Sequence, residues 1–124
     1  MAKPQSCLSG LFIVGTDTGV GKTFVTARIA RQLIDEGVSV GVYKPVCSGS
    51  ENYGPDQHPI WQDVETHAAA LNQQFPSERI CPQRFLAPLA PPVAARLEQR
   101  TIDESLLSTG IDWWRDQVEL LLIE

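Results

Sequence analysis

No run of this sequence is apolar for long enough to span a bilayer. The N-terminal segment carries one lysine and then the stretch Cys7–Gly15, which has the outline of a weak signal peptide. That reading is set aside, because the stretch leads straight into a glycine-rich loop, where a buried strand is expected. A cysteine framework is also missing. Cys7, Cys47 and Cys81 are odd in number and far apart, with no CxxC pair and no metal-site spacing. The expectation is reduced thiols in a cytoplasmic protein. Positive charge is in deficit: ten Lys and Arg against fifteen Asp and Glu leave a net charge of −5. This argues against a nucleic-acid partner held by a basic surface. It leaves room for one basic pocket, because net charge says nothing about a single cleft. Internal repeats and low-complexity tracts are absent. His58 and His67 are nine apart, in a loop and an expected helix, and read as solvated or core histidines rather than a metal pair.

What is present is ordinary for a globular protein: 124 residues, 43 % apolar and 20 % charged. One domain over 1–124 with a modest core is expected. Leu11 to Gly15 suits a buried parallel strand. From Lys22 to Glu36, Val25, Ile29 and Leu33 recur every four residues, and Ala30 and Ile34 widen that face, so a helix is predicted. Gly37 stands where a left-handed C-terminal cap is wanted. Val38 to Tyr43 is a second β-branched run. Strand, glycine loop, helix and strand in that order build a parallel βαβ unit. Ser48 to Pro59 reads as loop, Ile60 to Asn72 as helix, Arg84 to Leu86 as strand, 88–92 as turn and Val93 to Arg100 as a short helix. Thr101 with Glu104 three residues later matches a capping box for a helix to about Gln117, weakened by Gly110. Val118 to Ile123 reads as another buried strand. The fold class expected is α/β, a P-loop NTPase-like parallel sheet flanked by helices. Because the domain stops at Glu124, just past a strand, it reads as a shortened form of a longer fold.

The segment Gly15-Thr16-Asp17-Thr18-Gly19-Val20-Gly21-Lys22-Thr23 carries the chemistry. Triphosphate binding needs inward-pointing backbone N–H groups, a helix N-terminus and a cation. Gly19 and Gly21 allow the tight approach, Lys22 reaches the β- and γ-phosphates, and the Thr23 hydroxyl can ligate Mg²⁺. Thr16 stands where the strict pattern has glycine, so this is a variant P-loop. A second segment, Tyr43-Lys44-Pro45-Val46-Cys47-Ser48-Gly49, follows the second strand. Ends of neighbouring parallel strands lie close together, so Lys44 is expected beside the loop. There a second cation would stabilise charge on a transferring phosphoryl group. The alternative is a solvated lysine at a strand end. Cys47 reads as a small filler, and of Trp113 and Trp114 one is expected to be exposed, since neighbours on a helix point to different faces.

Together the two segments resemble dethiobiotin synthetase of biotin biosynthesis. Ala87-Pro88-Leu89-Ala90-Pro91-Pro92 is similar to the family's proline-bearing segment before a helix. Leu120-Leu121-Leu122-Ile123-Glu124 is similar to its strand ending in a magnesium-binding glutamate. The resemblance covers essentially the whole chain but only the amino-terminal half of a family member. It implies an ATP- and Mg²⁺-dependent cyclo-ligase. Diaminopelargonic acid takes up CO₂ as a carbamate, ATP phosphorylates it, and the second amine closes the ureido ring. It implies Lys44 and Lys22 as catalytic residues. Phosphate contacts would come from Thr18, Gly19, Val20, Gly21, Lys22, Thr23 and Asp63, and substrate contacts from Thr18 and Ser48. Thr23, Asp63 and Glu124 would be the magnesium ligands, with Asp56 or Glu65 competing with Asp63. It further implies a homodimer in the cytoplasm, with neither a nucleic-acid nor a membrane partner. Two other readings stand beside it: an amidotransferase-type synthetase resembling the cobyrinic acid diamide synthases, and a non-catalytic nucleotide- or partner-binding relative.

Overall fold

The computed structural model describes residues 8–15, 21–50, the backbone of 52–53, residue 56 and residues 58–124. Three parallel strands form its main sheet: β1 (Ser9–Phe12), β2 (Val40–Tyr43) and β7 (Leu120–Ile123), in the order β1-β7-β2. The last of these in sequence is therefore central. Ser9 and Val40 both lie opposite Leu120, and Phe12 and Tyr43 both lie opposite Ile123. The three strands thus finish level with one another. The expected order of strand, loop, helix and strand holds, but β1 and β2 are not neighbours, because β7 separates them.

Position in the sheet decides burial. Central β7 has Leu121 and Leu122 fully buried, each worth about 1.5–3 kcal/mol of transfer free energy. All four residues of β2 are buried. β1 departs from its expectation: it begins two residues earlier, and all four residues are exposed, Phe12 by 69 %. Among the described residues it pairs on one side only, with β7. An apolar β-branched run marks a strand but not how many neighbours cover it.

Helix α1 (Lys22–Asp35) begins at Gly21, whose φ of 89° is left-handed and so favours glycine there. It ends as expected: the Gly37 N–H bonds to the Ile34 carbonyl and the Val38 N–H to the Leu33 carbonyl, both at 2.9 Å. This is the Schellman pattern of a helix terminus. The predicted face holds for Ile29, Ala30, Leu33 and Ile34, which meet the core, but not at its first position. Thr26 and Ala30 are the buried pair and Val25 is exposed. The Thr26 hydroxyl donates to the Lys22 carbonyl at 2.7 Å, so its polar atom is satisfied inside.

Beyond Lys44 and Pro45 the chain enters a second sheet, β3 (Val46–Ser48) paired in parallel with β6 (Gln83–Phe85). The expected loop at Ser48 to Pro59 includes a short antiparallel pair, β4 (Asn52–Tyr53) and β5 (Pro59–Ile60). Helix α2 (Gln62–Ala70) ends before Asn72, whose φ of 57° is left-handed. Helix α3 (Ser77–Ile80) lies in the proline-rich stretch and was not expected. Helix α4 (Pro91–Leu97) starts inside the expected turn, with prolines in its first turn where no intrahelical N–H is needed. Helix α5 (Glu104–Trp114) is capped by Asp103, not Thr101: the Asp103 carboxylate accepts from the Ser105 N–H at 3.0 Å.

The main core joins α1, α2, α3 and α5 to β2 and β7. Trp114 is fully buried and Trp113 only partly, as adjacent helix positions require. Both meet Phe75, and the Arg79 guanidinium covers Trp113. A smaller cluster of Phe85, Ala94 and Ala95 lies between α4 and the second sheet.

Candidate phosphate and metal site

The carboxyl ends of β2 and β7 bring Lys44 and Glu124 side by side. The ladder continues one step past the strands, with the Glu124 N–H donating to the Tyr43 carbonyl at 3.0 Å. The Lys44 N–H turns away to the Ile80 carbonyl at 2.8 Å. Two helices close on this point. Helix α1 presents Thr23 from its first turn, and Thr23 Oγ1 donates to Glu124 Oε1 at 2.7 Å. Helix α2 presents Asp63 and, one turn later on the same face, His67. Lys44 Nζ lies 3.4 Å from Asp63 Oδ2 and 3.6 Å from Glu124 Oε1. Gly21, Lys22, Thr23, Phe24, Lys44, Asp63 and Glu124 line a cavity of about 290 Å³.

The electrostatics follow from burial and partners. The Glu124 side chain is 2 % exposed. Burial alone would raise its pKa, but hydrogen bonds from His67 and Thr23 and the Lys44 charge outweigh that and hold it down at about 2. Burial pulls the Lys44 pKa down, and the carboxylates of Glu124 and Asp63 more than reverse this, raising it above the ordinary lysine value. Cys47 is buried beside these groups. Its thiol is lowered, first by a hydrogen bond with Cys81, against desolvation.

Lys22, Thr23, Lys44, Asp63 and Glu124 therefore share one cavity. Gly21 joins them at the helix start. Thr18, Gly19 and Val20 lie outside the described residues. Ser48 is placed elsewhere: its hydroxyl donates to the Leu89 carbonyl at 2.6 Å. It lines a separate cavity of about 520 Å³ with Gly49, Ser50, Pro88, Leu89, Ala90 and Pro91. Asp56 is exposed, and neither it nor Glu65 lines the phosphate cavity. His67, read from sequence as a solvated or core residue, is fully buried and bonds through Nε2 to Glu124 Oε2. Its spacing of four from Asp63 was the available signal, but that spacing is common on helices and identifies no partner.

Among the described residues no group of three or more His, Cys, Asp and Glu side chains forms a metal cage. The oxygens of Thr23, Asp63 and Glu124 nevertheless suit Mg²⁺, which takes one or two carboxylates and completes its shell with phosphate oxygens and water. No helix is long and apolar enough to cross a membrane among the described residues.

A parallel sheet, a Gly-Lys-Thr run opening a helix at its carboxyl edge and a cation at the next strand end together define a P-loop nucleotide-binding domain. The chain belongs to the AAA domain family, which residues 9–124 match. Its relatives include the ATP-dependent dethiobiotin synthetase BioD of Rhodopirellula baltica, 38 % identical over 120 residues, covering 91 % of this chain and 44 % of that protein. The protein of the same name from Bacillus subtilis is 40 % identical over 117 residues, covering 94 % and 48 %. That from Anaeromyxobacter is 38 % identical over 117 residues, covering 94 % and 50 %. The chain thus spans about half the length of the curated relatives it matches.

Proposed function

We propose that the chain provides the phosphate- and magnesium-binding half of an ATP-dependent cyclo-ligase of the dethiobiotin synthetase type. On this reading it acts in biotin biosynthesis on diaminopelargonic acid, CO₂ and ATP. The observation that carries the proposal is the meeting of Lys44, Asp63, Glu124 and Thr23 at the start of α1. Two ammonium groups and three oxygen donors around one cavity match a nucleotide's terminal phosphates and their cation.

The demand of such a reaction is charge management, because an anionic carbamate must approach an anionic triphosphate. Lys22 and the N-terminus of α1 hold the β- and γ-phosphates. Lys44 comes from a different strand, so it faces the transferring group from the side and stabilises charge on its oxygens. Thr23, Asp63 and Glu124 would hold Mg²⁺, which screens the phosphate charge when bound. Thr18, Gly19 and Val20 would add loop contacts. Ser48, with Thr18, would meet the substrate. The homodimer, the cytoplasmic location and the lack of nucleic-acid or membrane partners belong to the same proposal. The net charge of −5 supports the last of these.

Isothermal calorimetry tests the reading. The chain should bind Mg-ATP, and Lys22→Ala should lose at least a hundredfold in affinity. Unchanged affinity in the variant would remove the loop from the site.

A further inference from the structure

His67 is a costly residue for the place it occupies. Its side chain is fully buried between α2 and the end of β7. One nitrogen, Nε2, meets Glu124 Oε2. The other, Nδ1, is buried with no hydrogen-bond partner among the described residues. A buried polar atom without a partner is unfavourable, and a leucine would fill the same space with none. Packing therefore does not account for an imidazole here. The bond to Glu124 does.

The geometry around that carboxylate is specific. Oε2 faces His67, while Oε1 faces Thr23 Oγ1 and Lys44 Nζ. An ionised carboxylate only accepts, so the proton in the His67–Glu124 bond is carried by Nε2. With one oxygen anchored from behind, rotation of the carboxylate about its terminal bond is restricted. The other oxygen is fixed toward the cavity. Asp63 and His67 lie one turn apart on α2, so a single rigid helix sets both the acid that lines the cavity and the group that aims its partner.

We propose that His67 is a positioning residue: it orients Glu124 so that Oε1 is presented to the cation accompanying the nucleotide. It touches neither nucleotide nor cation itself. Groups that orient a metal-binding carboxylate typically govern metal affinity by 10–100-fold. The inference rests on the reading of this cavity as a Mg-nucleotide site.

Two measurements test it, and they separate its failure from that of the reading. The first is calorimetry of ADP with and without Mg²⁺ on the wild-type chain, His67→Leu and His67→Gln. The expected result is a wild-type chain whose ADP affinity rises with Mg²⁺. His67→Leu should lose about tenfold or more of the Mg²⁺-dependent part while Mg²⁺-free affinity stays within twofold. His67→Gln, whose amide can still donate, should recover most of the loss. Equal Mg²⁺ dependence in wild type and His67→Leu overturns the positioning role and leaves the site intact. A wild-type chain indifferent to Mg²⁺ overturns the reading of the site and this role with it. The second needs no variant, so it stands even where a substitution at 67 unfolds the chain. Nitrogen-15 correlation spectra of wild-type imidazoles should show the His67 proton on Nε2. A proton on Nδ1 alone would overturn the proposal.

Discussion

Gly110 lies in the interior of α5 directly over the Tyr43 hydroxyl: a Cβ at 110 would fall 2.3 Å from Oη and 2.9 Å from Cζ. The phenol passes through that gap to donate to the Leu106 carbonyl at 2.9 Å. A glycine that looks like a weakness in the helix is what lets the last side chain of β2 reach α5. Gly110→Ala gains about 1 kcal/mol of helix propensity but forces an overpacked contact costing about 1–3 kcal/mol. Net destabilisation is expected in urea unfolding. Tyr43→Phe should not rescue it fully, because Cζ and Cε2, at 2.9 and 3.0 Å, stay in the way. A more stable Gly110→Ala protein would refute the contact.

Tyr43 also predicts an alkaline limit. Burial, with the neighbouring Cys81, pushes its phenol up to about 12 from 10.0. The neutral form is favoured in the folded state, so this contribution to stability is fully present below pH 10. It is lost as pH rises through 12. Thermal unfolding of the wild-type chain should steepen its decline across that window relative to Tyr43→Phe. Parallel curves would show that the phenol is not held in its neutral form.

Lys44 is the counter-charge to a nearly inaccessible carboxylate. Removing one partner from such a group leaves the other short of compensation. Lys44→Met is expected to destabilise by about 2 kcal/mol at neutral pH. Glu124→Gln in the same chain should recover part of that loss, since the uncompensated charge goes with it. A double-mutant cycle in urea measures the coupling. Strict additivity would mean that the two groups do not interact.

Asp103 and Thr101 offer a test of how α5 begins. Asp103→Ala should cost about 1 kcal/mol by loss of the cap, and Thr101→Ala should change stability by less than about 0.5 kcal/mol. The reverse order would restore the capping box centred on Thr101.

Those two residues also show where sequence reasoning reaches its limit. Thr101 and Glu104 fit the capping pattern, but Asp103 is closer to the helix and its own carboxylate makes the bond. Local pattern identified the helix and missed its first residue. The spacing of apolar residues located α1 and most of its inward face but missed Thr26, which hides its hydroxyl by bonding it to the Lys22 carbonyl. A threonine at an inward position carries no apolar signal. The cation and acid residues of the cavity were legible for a different reason. Lys22, Thr23, Lys44 and Glu124 all sit at element ends, and parallel strands gather their ends at one edge. His67 sits mid-helix, and its meaning comes from Glu124, 57 residues away. No periodicity encodes that. The exposure of β1 was unreadable too, since it depends on neighbours rather than on its own residues.

The placement of β7 between β1 and β2 has a consequence for biosynthesis. Among the described residues, neither early strand has a partner in the main sheet until residues 120–123 arrive. A ribosome releasing this polypeptide vectorially would therefore expose both strands, without their β7 partner, while residues 44–119 are being made. Such long-range closure is intrinsically slow, and the waiting strands would be natural clients for chaperones.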